Sequence, residues 1–192
     1  LGFYISDHPL NEYKEFFTQL EIESYKDFIS NNKSETLVAG TIMSIQEKKS
    51  AKGMSFAIIK FSDNNSEFEI FLFSDLLTAN REKLKESNSF VLTLQKEKNK
   101  TENSQKRINI RKIIDLSDLV NKTYEKVSIE LNDKKMLKDL NELLKSTGET
   151  KINVILKENN KNYFFELEKS RKFNFSLYSL IKNKEYVKKI SF

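Results

Sequence analysis

The sequence is poor in the residues that build disulfides, metal sites and membrane spans. It contains no cysteine, which excludes a disulfide framework and a thiolate metal site, and its single histidine, His8, excludes an imidazole cluster. Apolar runs are only a few residues long, as at residues 70–73, so we expect no membrane span. The chain begins Leu-Gly-Phe-Tyr, without methionine or a basic leader. We therefore expect no signal peptide, a cytoplasmic location, and a fragment or domain cut from a longer protein.

Signatures of catalysis are also scarce. The four glycines stand singly, so the sequence has no glycine-rich loop that could cradle a phosphate. His8 precedes Pro9, a position typical of a turn or packing residue rather than of a general base. Glu67 and Glu69 lie on one face of a predicted strand, which is typical of a solvated surface. We therefore predict no catalytic residue, no metal site and no cofactor in this chain.

Basic residues exceed acidic ones, and they are unevenly distributed. The net charge of +5 combines −4 over residues 1–35, +4 over residues 36–116 and +5 over residues 117–192. A basic balance favours anionic partners such as nucleic acids. The alternative is compositional, because 29 of the 33 basic residues are lysine, a usage that an AT-rich genome would impose on any solvated surface.

The first part of the chain, residues 1–35, is predicted to be a helical, acidic lead-in. Tyr13, Phe16 and Leu20 recur at helical spacing and give one apolar face. The polar run at residues 30–35 marks the boundary with the next domain.

From residue 36 the apolar period changes from about 3.6 to 2, which indicates strands. We predict a helix at residues 74–84 and five strands, at residues 37–47, 54–61, 67–73, 90–98 and 107–116. The tight turn at residues 63–66 is attributed to asparagine, which tolerates left-handed backbone angles. Three strands, a helix and two strands are the element order of the OB fold. We therefore predict a five-stranded OB-fold Greek-key barrel over residues 36–116.

The rest of the chain is predicted to be a small α+β domain at residues 127–192, reached through a connector at residues 117–126. A strand and a helix come first, the helix capped by Asn132 or Asp133 and stopped by Gly148. A hairpin, a short helix and a terminal strand follow, at residues 152–167, 175–181 and 186–192.

Several motifs resemble a known family. They are the opening decapeptide, residues 1–10, and the barrel segments Ala39-Gly40, Lys52-Gly53, Phe61-Ser62-Asp63 and Glu69-Ile70-Phe71-Leu72-Phe73. In this order they resemble the segment before the OB domain, and the OB domain itself, of the alpha subunit of bacterial DNA polymerase III. The chain after Lys126 is similar to that family's C-terminal domain. Ser66 departs from the family, which usually has glycine there.

The resemblance implies a non-catalytic C-terminal part of a replicative DNA polymerase, a nucleotidyltransferase. In that family the catalytic palm, with its metal-binding carboxylates, lies far upstream of this region, as does the internal segment that binds the sliding clamp. The implied roles are weak binding of single-stranded template DNA by the barrel and binding of the clamp-loader tau subunit by the last domain. Other replisome subunits are implied as neighbours.

The residues that would bind DNA follow from the barrel geometry. OB barrels combine cationic side chains with aromatic rings on which bases stack. Alternation turns Ala57, Ile59 and Phe61 inward, so Phe56 and Lys60 face outward, as does Phe71 on the next strand. The remaining predicted DNA-binding residues are basic and come from the loop after strand one and from the last hairpin: Lys48, Lys49, Lys52, Lys96, Lys98, Arg107 and Arg111. The alternative for both phenylalanines is packing against the lead-in helices.

An aromatic-rich stretch near the C-terminus is the candidate for partner binding, because aromatic side chains are enriched at interface hot spots. Its members are Phe173, Phe175, Tyr178, Leu180 and Ile181. The alternative is that these side chains form the core of the small domain.

Two rival functions remain open at this point. An RNA-binding OB module of the anticodon-binding type accounts for the barrel, but not for the opening motif or the last domain. A purely structural or protein-interaction unit, with a barrel that binds no nucleic acid, is the second.

Overall fold

The computed structural model describes residues 8–97 and 107–192. The chain divides into two compact units, residues 1–119 and residues 120–192, and the division lies within the segment that the sequence analysis treats as a connector. None of the helices in the described residues is long and apolar enough to cross a membrane.

Two short helices precede the barrel. After a 3-10 turn at Asn11–Tyr13 they are α1 (Lys14–Gln19) and α2 (Tyr25–Ser30). The Ser24 hydroxyl caps α2 by accepting a hydrogen bond of 3.1 Å from the backbone N–H of Asp27. Phe16 of α1 and Phe28 of α2 are buried, so each helix turns an apolar face inward.

The first unit is an OB-type barrel. Its elements are β1 (Glu35–Lys49), β2 (Ser55–Ser62), β3 (Glu67–Phe73), α3 (Ser74–Asn80), β4 (Ser89–Lys96) and β5 (Ile108–Asp115). The strands form one antiparallel sheet in the order β3-β2-β1-β4-β5, and the edge strands β3 and β5 approach each other. The closed order β1-β2-β3-β5-β4 is that of the OB fold. The predicted fold class is therefore confirmed.

Strict alternation along β2 and β3 fills the barrel. Ala57, Ile59 and Phe61 of β2 are fully buried, as the sequence predicts. Phe68, Ile70 and Leu72 of β3 are buried too, and these six side chains belong to one apolar core. Because successive residues of a strand point to opposite faces, the intervening residues of both strands are turned away from that core.

The turn between β2 and β3 is made differently from the prediction. Neither Asn64 nor Asn65 adopts a left-handed backbone. Instead, the carboxylate of Asp63 accepts hydrogen bonds from the backbone N–H groups of Asn65, at 2.8 Å, and Ser66, at 2.7 Å. An aspartate that closes its own turn in this way needs no positive φ, and this explains how a serine at position 66 is accommodated.

Two element bounds also differ from the prediction. Strand β1 extends through Lys49, so the loop after it is shorter than expected. Helix α3 ends at Asn80 rather than at residue 84, although Leu84 is still buried. The apolar position at 84 therefore reflects packing after the helix has ended.

The second unit is a four-stranded sheet with helices. After α4 (Leu116–Val120), its elements are β6 (Lys126–Leu131), α5 (Leu137–Leu143), β7 (Thr147–Glu158), β8 (Lys161–Glu166), α6 (Phe175–Lys182) and β9 (Val187–Ser191). The strand order is β8-β7-β6-β9, with β6 and β7 parallel across α5 and the other pairs antiparallel. This is the predicted small α+β domain.

The role predicted for Gly148 is wrong. Helix α5 ends at Leu143, and Gly148 lies inside β7. A Cβ atom at position 148 would lie 2.5 Å from the backbone nitrogen of Lys172, far inside van der Waals contact. The glycine is therefore needed because another stretch of backbone passes directly over it.

We predict that Gly148→Ala destabilises the second unit by about 1–3 kcal/mol, the usual cost of overpacking. The backbone at residues 171–172 must move, since no flexible side-chain end can yield. Hydrogen exchange of the β6 and β7 amides measures the loss. Glu149→Ala, at an exposed position of the same strand, is the control and leaves their protection unchanged. Equal protection in the two variants would contradict this reading of Gly148.

Candidate nucleic-acid interface

The outward face of β1, β2 and β3 is a continuous surface whose rows follow from the strand register. In one row Lys48 lies opposite Phe56, which lies opposite Phe73. In the next row Ile58 lies opposite Phe71. Directly opposite residues of antiparallel strands share a face of the sheet, so these rings and Lys48 lie on the same side.

Three phenylalanine rings and one guanidinium form the centre of this surface, which we call the aromatic platform: Phe56, Phe71, Phe73 and Arg107. The ring centroids of Phe56 and Phe71 are 6.1 Å apart. The guanidinium carbon of Arg107 lies 5.9 Å from the Phe71 centroid and 5.5 Å from the Phe73 centroid, within the range of cation–π attraction. Phe71 is nevertheless 42% exposed and Phe73 50% exposed.

Two depressions adjoin the aromatic platform, and Phe71 and Arg107 line both of them. One, of about 400 Å³, is lined by Ser50, Met54, Ser55, Phe56, Phe71, Phe73, Ser74 and Arg107. The other, of about 760 Å³, is lined by Tyr25, Ile29, Ser30, Asn31, Asn32, Glu69, Ile70, Phe71, Lys96, Arg107 and Ile108. We call the two depressions together the groove. The smaller one lies on β2 and β3, the face that OB folds use for oligonucleotides, and the larger one lies between β3, Arg107 and helix α2.

The middle of this face is slightly acidic, because Lys60 faces two carboxylates, Glu67 and Glu69. The ammonium of Lys60 forms a salt bridge of 2.7 Å with Glu67, and this bond together with the charge of Glu67 raises the pKa of Lys60. Glu69 lies opposite Lys60 in the register. Lys60 therefore faces outward as predicted, but a carboxylate already holds its ammonium, and its contribution to binding a phosphate is reduced.

The predicted lysines at and after the end of β1 line neither depression, although Ser50 between them lines the smaller one, and none of them forms a salt bridge within the described part of the chain. Lys48 and Lys49 occupy the end of β1, and Lys52 lies in the turn before β2; all three are exposed. Arg111 is exposed at a bulge in β5, and it lines neither of the two depressions. The predicted Lys98 lies outside the described residues.

Lys96 lines the larger depression, but its ammonium already has partners within the protein. Its side chain is buried, and its ammonium donates a hydrogen bond of 2.5 Å to the backbone carbonyl of Asn31. The same ammonium lies 4.4 Å from the centroid of the Phe28 ring. Charge alone made Lys96 a candidate in the sequence, but its position at the end of β4 turns it inward, where it fastens α2 to the barrel.

His8 is held in a packing role, as its place beside Pro9 indicates. Its Nε2 atom lies 2.5 Å from the hydroxyl oxygen of Ser62, at the end of β2. The neighbouring Asp63 accepts a hydrogen bond of 3.0 Å from the backbone N–H of Tyr25. Both contacts join the lead-in segment to the barrel.

Phe73 belongs to the aromatic platform but is not among the predicted DNA-binding residues. The alternation of Glu67, Glu69 and Phe71 predicts that it faces outward, with packing under the following helix as the alternative. Whether an outward ring at the end of a strand lies under the following helix or stays open depends on how the chain leaves β3. Here Phe73 remains half exposed, and Arg107 lies over it.

In the second unit, most residues predicted to bind a partner are core residues. Phe173, Phe175, Tyr178 and Ile181 are buried, and only Leu180 is exposed, by 48%. The helical period of α6 turns positions 175, 178 and 181 to the sheet and position 180 to the opposite side. The structure therefore favours the alternative that these aromatic side chains build the domain.

Exposed aromatic residues occur instead on β8. Tyr163, Phe164 and Phe165 are exposed by 43%, 73% and 45%. Beside this strand lies a groove of about 330 Å³, the α5–β8 groove, lined by Leu137, Leu140, Asn141, Leu144, Val154, Phe165, Glu166, Leu167 and Glu168. Exposed aromatic side chains on both faces of one strand, next to an apolar groove, make β8 a candidate interaction site.

The fold and the groove define the first unit as an OB-type barrel with an exposed cationic and aromatic face. No family model matches the chain. Curated relatives do: the chain is 39% identical over 87 residues to the DNA polymerase III subunit alpha of Buchnera aphidicola subsp. Acyrthosiphon pisum. It is 37% identical over 78 residues to the subunit of the same name from Rickettsia bellii, and 35% over 78 residues to that from Rickettsia conorii.

The matches to these three relatives cover 41%, 39% and 39% of this chain, and 7%, 7% and 6% of the respective relatives. The matched segment thus corresponds to less than a tenth of each relative's length. The resemblance to the alpha subunit of bacterial DNA polymerase III is confirmed over about two-fifths of the chain.

We predict that Lys96→Met lowers the stability of the barrel by about 1–3 kcal/mol, because it leaves the Asn31 carbonyl without its donor. Lys48→Met is the matched control, and its effect stays within about 0.5 kcal/mol because Lys48 is an exposed surface residue. Hydrogen exchange of the β4 amides measures both. A barrel that is equally stable in the two variants would show that Lys96 has no structural role.

Proposed function

We propose that the chain is a non-catalytic, C-terminal part of a replicative DNA polymerase and that its barrel binds single-stranded DNA in the groove along β3 that Phe71 and Arg107 line. The observation that carries this proposal is the aromatic platform, where Arg107 lies over the exposed rings of Phe71 and Phe73. The similarity to DNA polymerase III subunits alpha supports the replicative context.

The platform has the two components that single-strand binding requires. A base stacked on an aromatic ring contributes about 1–3 kcal/mol, and every base has a π-face, so the binding tolerates sequence. Arg107 is placed to contact a phosphate or to cover a base that rests on Phe71, since its guanidinium already lies within 6 Å of two rings. Lys48, in the same cross-strand row as Phe56 and Phe73, extends the positive charge along the backbone path.

The charges predict weak binding that depends strongly on salt. Lys48, Lys49, Lys52 and Arg107 provide a handful of phosphate contacts, whereas Glu67 and Glu69 repel phosphate from the centre of the face. Each phosphate contact contributes about −0.7 to the slope of log K against log salt for a single strand. We expect a dissociation constant in the micromolar range or above, as is usual for non-specific binding at physiological salt.

We predict that Phe71→Ala weakens binding of a fluorescein-labelled fifteen-nucleotide oligothymidylate at least about fivefold, because one stacking surface is lost. Fluorescence anisotropy in a salt series measures the affinity. Phe71→Ala leaves the salt slope unchanged, whereas the combined change of Lys48, Lys49 and Lys52 to Glu makes the slope shallower. Phe164→Ala, an exposed aromatic residue of the second unit, is the control and has no effect.

If the variant that combines all three lysine-to-glutamate changes bound the oligothymidylate with wild-type affinity, the groove would be assigned wrongly. A clear preference for transfer RNA over the oligothymidylate in the same salt series would support the rival RNA-binding function. No measurable binding of either nucleic acid would leave the barrel as a structural unit.

The second unit supports a second role, docking of a protein partner, and by resemblance we propose that this partner is the clamp-loader tau subunit. The observation that favours docking is the exposed aromatic strand β8 beside the α5–β8 groove. The surface differs from the one expected from the sequence, because the aromatic side chains of α6 are occupied with the core.

We predict that replacing Tyr163 and Phe164 together by alanine weakens binding of the cognate tau subunit at least about tenfold, as expected for a pair of aromatic hot spots. Surface plasmon resonance measures the affinity with the 192-residue chain immobilised. Leu180→Ala, which tests the surface originally predicted on α6, is the matched control and has little effect. The reverse outcome would place the docking surface on α6.

A further inference from the structure

The turn at the tip of the β7–β8 hairpin fixes which backbone groups of β8 are free. Two residues, Asn159 and Asn160, connect the strands with φ angles of 51° and 61°, as a type I′ turn requires. Glu158 and Lys161 flank the turn as register partners, so they form the first hydrogen-bonded pair of the hairpin. Every second residue of β8 from Lys161 onward is therefore bonded to β7.

The intervening residues of β8 direct their backbone groups away from the sheet. The alternation continues past the strand, because the N–H of Leu167 donates a hydrogen bond of 3.0 Å to the carbonyl of Ile152. The N–H and C=O groups of Asn162, Phe164 and Glu166 thus point to the free edge of the sheet. This edge offers the ladder that an additional strand would need.

Edges of this kind are usually protected by lysine or other charged side chains, proline, bulges or a covering element. The charged residues of β8, Lys161 and Glu166, lie only at its two ends. Strand β8 contains no proline, and its pairing with β7 shows no register shift. All six of its residues are exposed, and three of them are aromatic. Phe164 shares a face with Ile155, while Tyr163 and Phe165 share the opposite face with Leu156 and Val154.

The α5–β8 groove adds a requirement on charge. It is mainly apolar, and the charged side chains that line it, Glu166 and Glu168, are both carboxylates. Both are exposed, and no salt bridge joins either of them to another described residue. A strand laid along β8 would complete the groove wall and bring its own side chains against these carboxylates.

We propose that β8 is the acceptor edge for a strand from a protein partner, an extended segment with apolar side chains at alternate positions and lysine or arginine opposite Glu166 and Glu168. Main-chain hydrogen bonds would supply affinity, and the α5–β8 groove would supply specificity through alternate side chains. The proposal rests on the docking role proposed for the second unit. A second copy of this chain fits the groove poorly in charge, since it would bring the same two carboxylates and only Lys161 as a cation.

The test uses the whole chain and synthetic peptides that alternate valine with threonine, one ending in Lys-Thr-Lys and the other in Glu-Thr-Glu, so that the two end charges match the spacing of Glu166 and Glu168. Fluorescence polarisation measures binding. We expect the lysine peptide to bind about tenfold more tightly than the glutamate peptide, because only the former complements Glu166 and Glu168. Equal affinity of the two peptides would overturn the charge requirement.

Asn162→Pro removes one outward N–H while the three aromatic side chains are kept, and prolines with this orientation are tolerated in edge strands. It should weaken the lysine peptide about tenfold, whereas the matched control Asn162→Ala changes the affinity less than about twofold. Unchanged binding by the proline variant, with β6 amide protection intact, would rule out strand addition. Concentration-dependent dimers that disappear in the proline variant would assign the edge to a second copy and also overturn the proposal.

If Asn162→Pro fails to fold, the double change of Glu166 and Glu168 to lysine tests the proposal instead, because it leaves the backbone unaltered. This variant should reverse the preference between the two peptides. Persisting preference for the lysine peptide would refute the proposal. The docking role is judged separately: tau binding that survives Asn162→Pro refutes strand addition alone, and absence of tau binding to the wild-type chain refutes the choice of partner.

Discussion

The alternation of side chains along β2 and β3 is the constraint on which the candidate interface depends. Filling a small closed barrel requires Ala57, Ile59 and Phe61 on one strand and Phe68, Ile70 and Leu72 on the next to point inward. A strand cannot turn two successive residues inward without a bulge, so Phe71 and Phe73 have no place in the core. The packing that stabilises the barrel therefore also places these two rings on its outer face, where Phe71 is 42% exposed and Phe73 is 50% exposed.

The charged side chains on that outer face are unevenly distributed. Lys60 is paired with Glu67 at 2.7 Å, so the centre of the sheet carries little net attraction for phosphate. The guanidinium of Arg107 reaches the rings from the position just before β5, the strand that approaches β3 where the barrel closes. Closure thus brings a cation at the entry to the last strand to aromatic residues of the third, a juxtaposition that depends on the whole topology.

Local rules predicted much of this, and they failed where a long-range contact decides. Strand period and turn residues predicted the barrel and the inward and outward sides of β2 and β3, since both signals lie within a few residues. Nothing near Lys96 in the sequence shows that its ammonium meets the carbonyl of Asn31, 65 positions away. The aromatic residues of α6 likewise resemble an interface in the sequence, and only the sheet that they cover shows that they belong to the core. The sequence predicts Gly148 to be a helix stop because nothing near it shows that the backbone at Lys172 passes over it.

Exposed aromatic residues have different meanings in the two units, although the same pleat governs both. On the barrel, the rings lie on the outer face of the sheet, so a ligand that covers them must approach perpendicular to the sheet. Nucleic-acid bases, which stack on aromatic rings, suit this geometry. On β8 the rings occupy both faces of an edge, and a ligand that covers them must lie beside the strand. Isolated exposed apolar side chains need no explanation, but three in succession on an open edge form a surface that an added strand would cover. Edge position, more than the aromatic residues themselves, is what distinguishes the proposed protein-docking site from the proposed nucleic-acid site in this chain.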